Sequence, residues 1–344
     1  MKLLFCAGGS AASGIGHIMR CQALAQVADA QHVESVFWLT KTAKELALSR
    51  HDWVGTILEA SDDQIHLAQS IIDYCRTELP VAIVIDGYAY TERFIQQLSD
   101  LPAPLVMFDD IQQAGWQAAD VICNPAGEHL RANYMQGNPG ATLCLGPEFR
   151  LLRREFTTGF TLPLAQRVSL TINMGGSDPL ELTLPVLEAI TQAIPDAPLR
   201  VVMGPGVSQQ QRLALQHFVK NCPSAIQLIE NCQDMADVWN NARLAIAAAG
   251  GSQFELAACH TPSLLLCVAE NQRSATLQAA EQGWCEVFDF TGAHPLRELA
   301  ERAANLWANQ AALNNMHQRA AAFAFTEGAF NVLDAIAQHR QRHA

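Results

Sequence analysis

A glycine-rich segment with one histidine follows the first apolar run of the chain. Residues 7–17 read AGGSAASGIGH, and His17 stands directly after Gly16, where a helix is predicted to begin. Glycines allow a tight turn close to a ligand, and the free N–H groups of a helix start favour an anion. The same helix end disfavours an imidazolium, so His17 is suited to act as a neutral general base. Arg20 lies one turn later on the same face, where it could meet an anionic substrate.

A dinucleotide-binding loop is the alternative interpretation of this segment. It is less favoured because the glycine spacing is not GxGxxG. It also requires an acidic residue at the end of the second strand, whereas that predicted strand closes in Phe37-Trp38-Leu39-Thr40.

Glycines recur after the first predicted strand of the second half of the chain. The segment Met174–Asp178 contains Gly175 and Gly176, which turn the chain, and then Ser177. The Ser177 hydroxyl could donate to a phosphate or cap the next helix.

Two further predicted helix starts carry polar side chains, each with two interpretations. Gly251 and Ser252 precede Glu255. Glu255 could accept two hydroxyls of a ribose, or it could close an SxxE capping box with Ser252. Asn271 and Gln272 follow another apolar run. They could cap a helix or reach a substrate.

Two neighbouring carboxylates, Asp109 and Asp110, follow a predicted strand of the first half. They could bind a divalent cation, but we expect them to cap the following segment or to orient His17 or substrate. None of the ten cysteines stands in a CxxC or CxxH pair, so reduced, buried thiols are expected rather than a zinc site. We therefore predict neither a metal ion nor a cofactor.

Composition indicates a compact cytoplasmic protein. The 344 residues carry a formal net charge of −12, which does not attract nucleic acid as a polyanion. Hydrophobic residues make up 49% of the chain, enough for two cores of ordinary size. The opening MKLLFCAGG is too short for a signal peptide, and the apolar run Leu244–Gly251 is too short to span a bilayer, so no membrane insertion is expected.

Short apolar runs alternate with amphipathic stretches in both halves, which predicts α/β domains with parallel sheets covered by helices. We expect two Rossmann-like, doubly wound domains, residues 1–155 and 165–325, facing a central cleft, followed by a C-terminal helix over 326–344. The predicted strands are Lys2–Cys6, Val33–Thr40, Val81–Asp86, Leu105–Phe108, Val168–Met174, Leu199–Met203, Ile226–Ile229, Leu244–Ala248 and Leu264–Val268. The segment Arg153–Gln166 breaks this rhythm and is the predicted linker.

Several motifs, taken together and in order, resemble one family. They are GIGHIMRCQALA at 14–25, DGY at 86–88, FDD at 108–110, GPEFRLLRREF at 146–156, MGGSD at 174–178 and the Asn271-Gln272 pair. The set resembles the PseG family, the UDP-2,4-diacetamido-2,4,6-trideoxy-β-L-altropyranose hydrolases of pseudaminic acid biosynthesis, which precedes flagellin glycosylation. That family is similar to the MurG-type glycosyltransferases of GT-B fold. The resemblance extends in order to about residue 290.

The resemblance implies a reaction and a set of site residues. Water attacks the anomeric carbon with inversion, and UDP leaves. His17 matches the family's base, Tyr88 matches a tyrosine of the sugar side, and Asn271 and Gln272 match an amide pair near the cleft. Glu255 matches the ribose-binding glutamate of the wider superfamily. With the residues of the glycine loops and helix starts added, the predicted sugar contacts are Gly14, Gly16, Arg20 and Tyr88, and the predicted UDP contacts are Gly175, Gly176, Ser177, Gly251, Ser252, Glu255, Asn271 and Gln272. The chain departs from some relatives at Gly87, where a bulkier polar residue can stand, and in the turn 249–251.

Three rival functions use parts of the same residues. A glycosyltransferase would share the fold and donor site and pass the sugar to an acceptor; the basic, apolar membrane patch of MurG-type members is not evident in the first domain. A non-catalytic nucleotide-sugar sensor would need the UDP site but not His17. An NAD-dependent oxidoreductase would need the missing dinucleotide fingerprint. The predicted partner is thus a UDP-sugar.

Overall fold

The computed structural model describes residues 2–9, 15–157 and 159–343. The chain forms two compact units. The first unit comprises residues 1–154 together with 325–344, and the second comprises residues 155–324. Each unit is built on one parallel β-sheet.

The first unit contains a parallel sheet in the order β3-β2-β1-β4-β5-β6-β7. Its strands are β1 (Lys2–Ala7), β2 (Glu34–Leu39), β3 (Thr56–Glu59), β4 (Ala82–Asp86), β5 (Leu105–Phe108), β6 (Val121–Asn124) and β7 (Thr142–Leu145). Its helices are α1 (Gly16–Ala30), α2 (Lys41–Leu48), α3 (Gln64–Thr77), α4 (Glu92–Ser99), α5 (Arg131–Gly137) and, at the end of the chain, α13 (Gly328–His343). The reversal of strand order between β1 and β4 is the switch point at which doubly wound sheets bind ligands.

Residues of β1 alternate between two apolar layers, one on each face of the sheet. Leu3 and Phe5 pack in the layer with α1 and α13, whereas Leu4 and Cys6 pack in the layer with α3 and α4. All four are fully buried. Because successive side chains of a strand point to opposite faces, a strand covered on both sides must be apolar at every position.

The second unit repeats the topology in the order β10-β9-β8-β11-β12-β13, again parallel. Its strands are β8 (Ser169–Asn173), β9 (Leu199–Met203), β10 (Ile226–Glu230), β11 (Ala242–Ala248), β12 (Ser263–Cys267) and β13 (Cys285–Asp289). Its helices are α6 (Thr183–Ala193), α7 (Gln209–Asn221), α8 (Met235–Asn241), α9 (Ser252–Ala258), α10 (Arg273–Glu281), α11 (Leu296–Trp307) and α12 (Gln310–Ala321). The predicted pair of Rossmann-like parallel sheets is confirmed.

Several elements were absent from the sequence prediction, and each has a local reason. Strand β3 is only half-buried, and β6 and β7 span four residues each, so their apolar runs are short. Helix α6 carries Pro185 in its first turn, where a proline is tolerated but obscures the helical pattern. Strand β13 alternates acidic and apolar residues in CEVFD. The predicted linker region forms two 3₁₀ turns, Arg154–Phe156 and Leu164–Gln166.

The last helix, α13, belongs to the first unit although it follows the second in sequence. It lies on α1 and contributes Val332, Leu333 and Ile336 to the layer of apolar residues that also contains Phe5. Helices α11 and α12, by contrast, stay with the second unit. The chain therefore crosses between the units twice.

We predict that Gly328→Ala destabilises the first unit by about 1–3 kcal/mol. Gly328 is the first residue of α13, and a methyl group there would overlap the backbone of Arg150. Thermal melts of Gly328→Ala and of Gly140→Ala, in the same unit, make a matched comparison. A methyl group at Gly140 meets only the Asn138 side-chain oxygen, at an ordinary 3.8 Å. Equal melting temperatures for the two variants would contradict this account of the contact.

Candidate active site

Functional side chains of the first unit meet at the switch point of its sheet. The carboxyl ends of β1, β4 and β5 lie side by side, since Ala7 pairs with Asp86 and Asp86 with Phe108. Helix α1 begins beside them and carries His17 and Arg20. Asp86 closes β4, while Tyr88 and Asp110 follow β4 and β5. From the sequence, Tyr88 was expected on the sugar side, and the Asp109-Asp110 pair was expected to cap the following segment or to orient His17 or substrate.

His17 is bonded to a fully buried carboxylate. Its Nδ1 lies 2.6 Å from Oδ1 of Asp86, which is 0% exposed, and His17 itself is 7% exposed. Nδ1 also lies 3.4 Å from Nη2 of Arg20. The much shorter contact with Asp86 assigns the proton to Nδ1, because an ionised carboxylate only accepts. Nε2 is then the nitrogen with a lone pair, as a general base requires.

Arg20 binds two carboxylates at once. Its Nε and Nη2 donate to the two oxygens of Asp86, the second at 2.6 Å, and its Nη1 donates to Oδ1 of Asp110 at 2.8 Å. Burial by itself lowers the pKa of the guanidinium, but Asp110 and Asp86 outweigh it and hold that pKa well above its ordinary value. From the sequence, Arg20 could have faced an anionic substrate; in the structure it donates to the carboxylates of Asp86 and Asp110.

Tyr88 completes the cluster on its exposed side. Its hydroxyl donates to Oδ2 of Asp110 at 2.6 Å, and its ring stands edge-on to the imidazole of His17, with centroids 4.7 Å apart. Tyr88 is 42% exposed. Burial would raise the pKa of Asp110, but the adjacent Arg20 lowers it to about 2. Asp110 is therefore an anion throughout the pH range of ordinary assays.

The backbone is compressed between the ends of β1 and β4. The amide of Gly8 donates to the carbonyl of Asp86 at 2.6 Å, and Gly87 follows with a φ of +143°. A Cβ at Gly87 would lie 3.1 Å from the backbone of Gly8. A residue with a side chain would therefore be strained at this position, which lies next to Tyr88.

Asp109 and Asp110 have separate roles, which the sequence left open. Asp109 is fully buried, and its Oδ1 accepts from the amides of Ile111 at 3.2 Å and Gln113 at 3.0 Å. Its Oδ2 accepts from the hydroxyl of Tyr134 at 2.8 Å. Burial raises the pKa of Asp109 despite these bonds. Asp109 thus caps the segment after β5, whereas Asp110 faces Arg20 and Tyr88.

Gly175, Gly176 and Ser177 form the turn after β8 in the second unit, with Gly175 at a φ of +79°. The carbonyl of Gly176 accepts from the amide of Gly206 at 2.8 Å, which ties the turn to the loop after β9. Asp178 caps the start of α6, because its carboxylate accepts from the amides of residues 182 and 183 at 2.8 and 2.9 Å. Asp178 therefore performs the capping role that was considered for Ser177.

The capping-box interpretation of Ser252 and Glu255 is wrong. Helix α9 begins at Ser252 itself, with Gly251 as its N-cap and no side-chain cap bond among the described residues. Ser252 is thus one position too late to cap. The carboxylate of Glu255 instead accepts from the indole N–H of Trp239, at 3.2 Å to Oε2. Trp239 is fully buried, so this bond fixes the Glu255 side chain relative to α8.

Asn271 and Gln272 stand in the 3₁₀ turn before α10. In the described part of the chain neither side chain caps that turn or the helix. The side-chain oxygen of Gln272 accepts from the amide of Val268 at 3.1 Å, so it holds the chain as it leaves β12. The Asn271 side chain is exposed.

The structure brings together His17, Arg20 and Tyr88 from the predicted sugar side. Gly16 is the exposed first residue of α1, and Gly14 lies outside the described residues. Asp86 had no assigned role, although the DGY motif contained it. The signal that could have identified it is an acidic residue at the end of an otherwise apolar strand, because a buried carboxylate needs a cation or donor nearby.

Residues 2–9, 15–157 and 159–343 contain no cluster of three or more histidine, cysteine, aspartate or glutamate side chains that could hold a metal ion. No helix in these ranges is both long and apolar enough to cross a membrane.

Two relatives are identical to this chain at about a quarter of the aligned residues. The Bacillus subtilis spore coat polysaccharide biosynthesis protein SpsG is 26% identical over 283 residues, 80% of each chain. The Methanocaldococcus jannaschii protein MJ1062, which is uncharacterized, is 26% identical over 282 residues. That match covers 79% of this chain but only 57% of MJ1062. No protein-family model matches the chain.

Solved structures resemble the chain over almost its whole length. MurG of Acinetobacter baumannii superposes with a TM-score of 0.65 at 18% identity, over 98% of this chain and 99% of MurG. A putative UDP-N-acetylglucosamine 2-epimerase of Listeria monocytogenes gives 0.71 at 16% identity, over 99% and 97%. The UDP-GlcNAc 2-epimerase of Neisseria meningitidis, bound to UDP-GlcNAc, gives 0.63 at 12% identity, over 98% and 100%. The chain therefore has a GT-B-type fold.

We predict that Asp109→Asn lowers the free energy of unfolding by about 1–3 kcal/mol. The new amide would donate to the Tyr134 hydroxyl, which already receives the side-chain amide of Asn124 at 3.1 Å. The Tyr134 proton would then lose its acceptor in a buried site. Denaturant titration measures the change, and Asp100→Asn, on the surface after α4, is the control. A free energy of unfolding that is the same in Asp109→Asn as in the wild type would contradict the capping role of Asp109.

Proposed function

We propose that this protein hydrolyses a UDP-sugar, specifically UDP-2,4-diacetamido-2,4,6-trideoxy-β-L-altropyranose, to UDP and the free sugar, in pseudaminic acid biosynthesis. The single observation that carries the proposal is the His17–Asp86 pair at the switch point of the first sheet. A base of this kind is required to activate an acceptor oxygen, and a binding protein has no need of it. The GT-B-type fold and the family motifs add the nucleotide-sugar substrate.

The reaction needs one proton transfer and one displacement. Nε2 of His17 takes a proton from water while the water oxygen bonds to the anomeric carbon. The bond from that carbon to the diphosphate oxygen breaks, and its electron pair leaves with UDP. Attack from the face opposite the leaving group inverts the configuration. The imidazolium that forms is stabilised by Asp86, and Arg20 orients that carboxylate.

We infer that the second unit binds the nucleotide. Glu255, oriented by Trp239, would accept the ribose hydroxyls. The turn 175–177 would approach the diphosphate with the amides of Gly176 and Ser177, because the amide of Gly175 already donates to Oδ1 of Asn173 at 3.2 Å. The remaining proposed UDP contacts are Gly251, Ser252, Asn271 and Gln272. Backbone donors can stabilise the charge on the leaving group without a metal ion.

An inverting glycosyltransferase is the second candidate, and the likeness to MurG over 98% of this chain favours it. In that reaction His17 would deprotonate an acceptor hydroxyl instead of water. The spore coat polysaccharide role named for SpsG fits either reaction. The likeness to UDP-N-acetylglucosamine 2-epimerases supports a UDP-sugar substrate in both cases.

Product analysis tests the proposal directly. The purified protein is incubated with the trideoxy-diacetamido UDP-sugar, and phosphorus and proton NMR follow UDP and the sugar. We expect UDP and free sugar in equal amounts, with the first-formed anomer inverted and with turnover unaffected by excess EDTA. UDP-GlcNAc serves as the comparison substrate. Intact substrate after incubation without an acceptor would overturn the hydrolase and leave the transferase, and EDTA-sensitive turnover would overturn the metal-free mechanism.

We predict that His17→Asn lowers kcat about 10²–10⁴-fold, because the general base is lost. Its affinity for UDP should stay within about twofold of wild type, since His17 belongs to the first unit and UDP is assigned to the second. Steady-state kinetics and calorimetric UDP titration measure the two effects. Near-wild-type turnover of His17→Asn would exclude His17 as the base.

We predict that Glu255→Ala weakens UDP binding by about 1–3 kcal/mol, the usual loss when a charged hydrogen-bond partner is removed. Tyr88→Phe, the matched control in the first unit, should leave UDP affinity unchanged and lower turnover. Isothermal titration of UDP into both variants gives the comparison. If Tyr88→Phe loses affinity and Glu255→Ala keeps it, the assignment of UDP to the second unit is wrong.

A further inference from the structure

Asp110 links two residues of the candidate active site, Tyr88 and Arg20. Its Oδ2 accepts from the Tyr88 hydroxyl at 2.6 Å, and its Oδ1 accepts from Nη1 of Arg20 at 2.8 Å. Arg20 in turn grips both oxygens of Asp86, which bonds to Nδ1 of His17. A continuous series of hydrogen bonds therefore runs from an exposed tyrosine to the buried base.

The second carboxylate adds one more bond that orients the guanidinium of Arg20. A planar guanidinium bound to Asp86 alone can pivot about that pair, whereas a third bond from Nη1 to Asp110 removes this freedom. Phe108 lies beneath it, with its ring centroid 5.7 Å from the guanidinium carbon. Three fixed directions thus hold the group that orients Asp86.

We propose that Asp110 is a positioning residue that couples Tyr88 to His17 through Arg20 and Asp86. The proposal rests on the proposed function, in which His17 is the base. Asp110 touches neither water nor the anomeric carbon in this scheme. It fixes the relative placement of the sugar-side phenol and the base, and its negative charge favours the imidazolium formed during turnover.

The charges around His17 determine the direction of the expected effect. The titratable or charged groups that face it from α1 and from the ends of β4 and β5 are Arg20, Asp86, Tyr88 and Asp110. Replacing Asp110 by asparagine removes a negative charge near His17 and leaves the positive charge of Arg20 less neutralised. Each of these two effects disfavours an imidazolium at His17. His17 should then lose its proton at a lower pH, so the acid limb of the activity profile should move to lower pH.

Asp110→Asn is the test variant, and the adjacent Asp109→Asn is its matched control, since the carboxylate of Asp109 accepts from the amides of the segment it caps and from the Tyr134 hydroxyl. We expect Asp110→Asn to lower kcat about 10–100-fold, as small misplacements of reacting groups do. The acid limb of kcat/KM should move down by roughly one pH unit. Asp109→Asn should lose stability with no change in that limb, and UDP affinity should be unchanged in both variants.

A double-variant cycle tests the coupling itself. If Tyr88 acts through Asp110, the kcat of the double variant Asp110→Asn, Tyr88→Phe should be lower than that of Asp110→Asn by no more than about threefold. The reason is that each substitution interrupts the same hydrogen bond between Tyr88 and Asp110. Losses that multiply, or an acid limb that does not move in Asp110→Asn, would overturn the proposal.

An NMR titration separates failure of this proposal from failure of the proposed function. The His17 imidazole signals are followed against pH in wild type and in Asp110→Asn without substrate. We expect the titration of His17 to move to lower pH in the variant, whichever reaction the enzyme performs. An unmoved titration overturns the role of Asp110, whereas a moved titration in a protein that releases no UDP overturns only the hydrolase.

Discussion

The buried carboxylate of Asp86 is the constraint on which the first unit is organised. An ionised group with no exposure is tolerated only where cations and donors surround it. Arg20 and His17 provide them from α1, so the start of that helix must lie against the end of β4. The carbonyl of Asp86 also accepts the amide of Gly8, which places the loop after β1 at the same point. A single residue thus joins β4, β1 and α1, and the groups assigned to catalysis lie where they meet.

Three aspartates after parallel strands illustrate how one residue type serves different ends. Asp109 and Asp178 satisfy backbone amides of the chain that follows β5 and β8, and both are almost fully buried. Asp110 instead shares its oxygens between a guanidinium and a phenol. The difference is one of available donors: free amides at a turn favour a cap, whereas a nearby cation favours an ion pair.

The two units share a strand order but differ in the chemistry of their loops. In the first, side-chain charges gather beside His17, and the pKa of Asp110 falls to about 2 because Arg20 outweighs burial. In the second, the proposed contacts include the glycines of two turns, Gly175 and Gly251, and the only acid among them is Glu255, which accepts a hydrogen bond from Trp239. This contrast is consistent with the proposed division, in which the first unit transfers the proton and the second binds the nucleotide.

Local pattern in the sequence determined the parallel α/β architecture, since strands such as Leu3–Cys6, buried on both faces, must be apolar at every position. It also singled out His17, Tyr88 and the FDD segment through their motifs. Only the tertiary structure paired Asp86 with His17, 69 positions away, and separated Asp109 from Asp110. It also returned α13 to the first unit. Such contacts depend on which strands lie side by side, and strand order is decided by packing across the whole sheet. The SxxE spacing at Ser252 shows that a local pattern can also mislead. Helix α9 begins at Ser252 with Gly251 as its N-cap, so Ser252 cannot form the capping box, and Glu255 accepts from Trp239 instead.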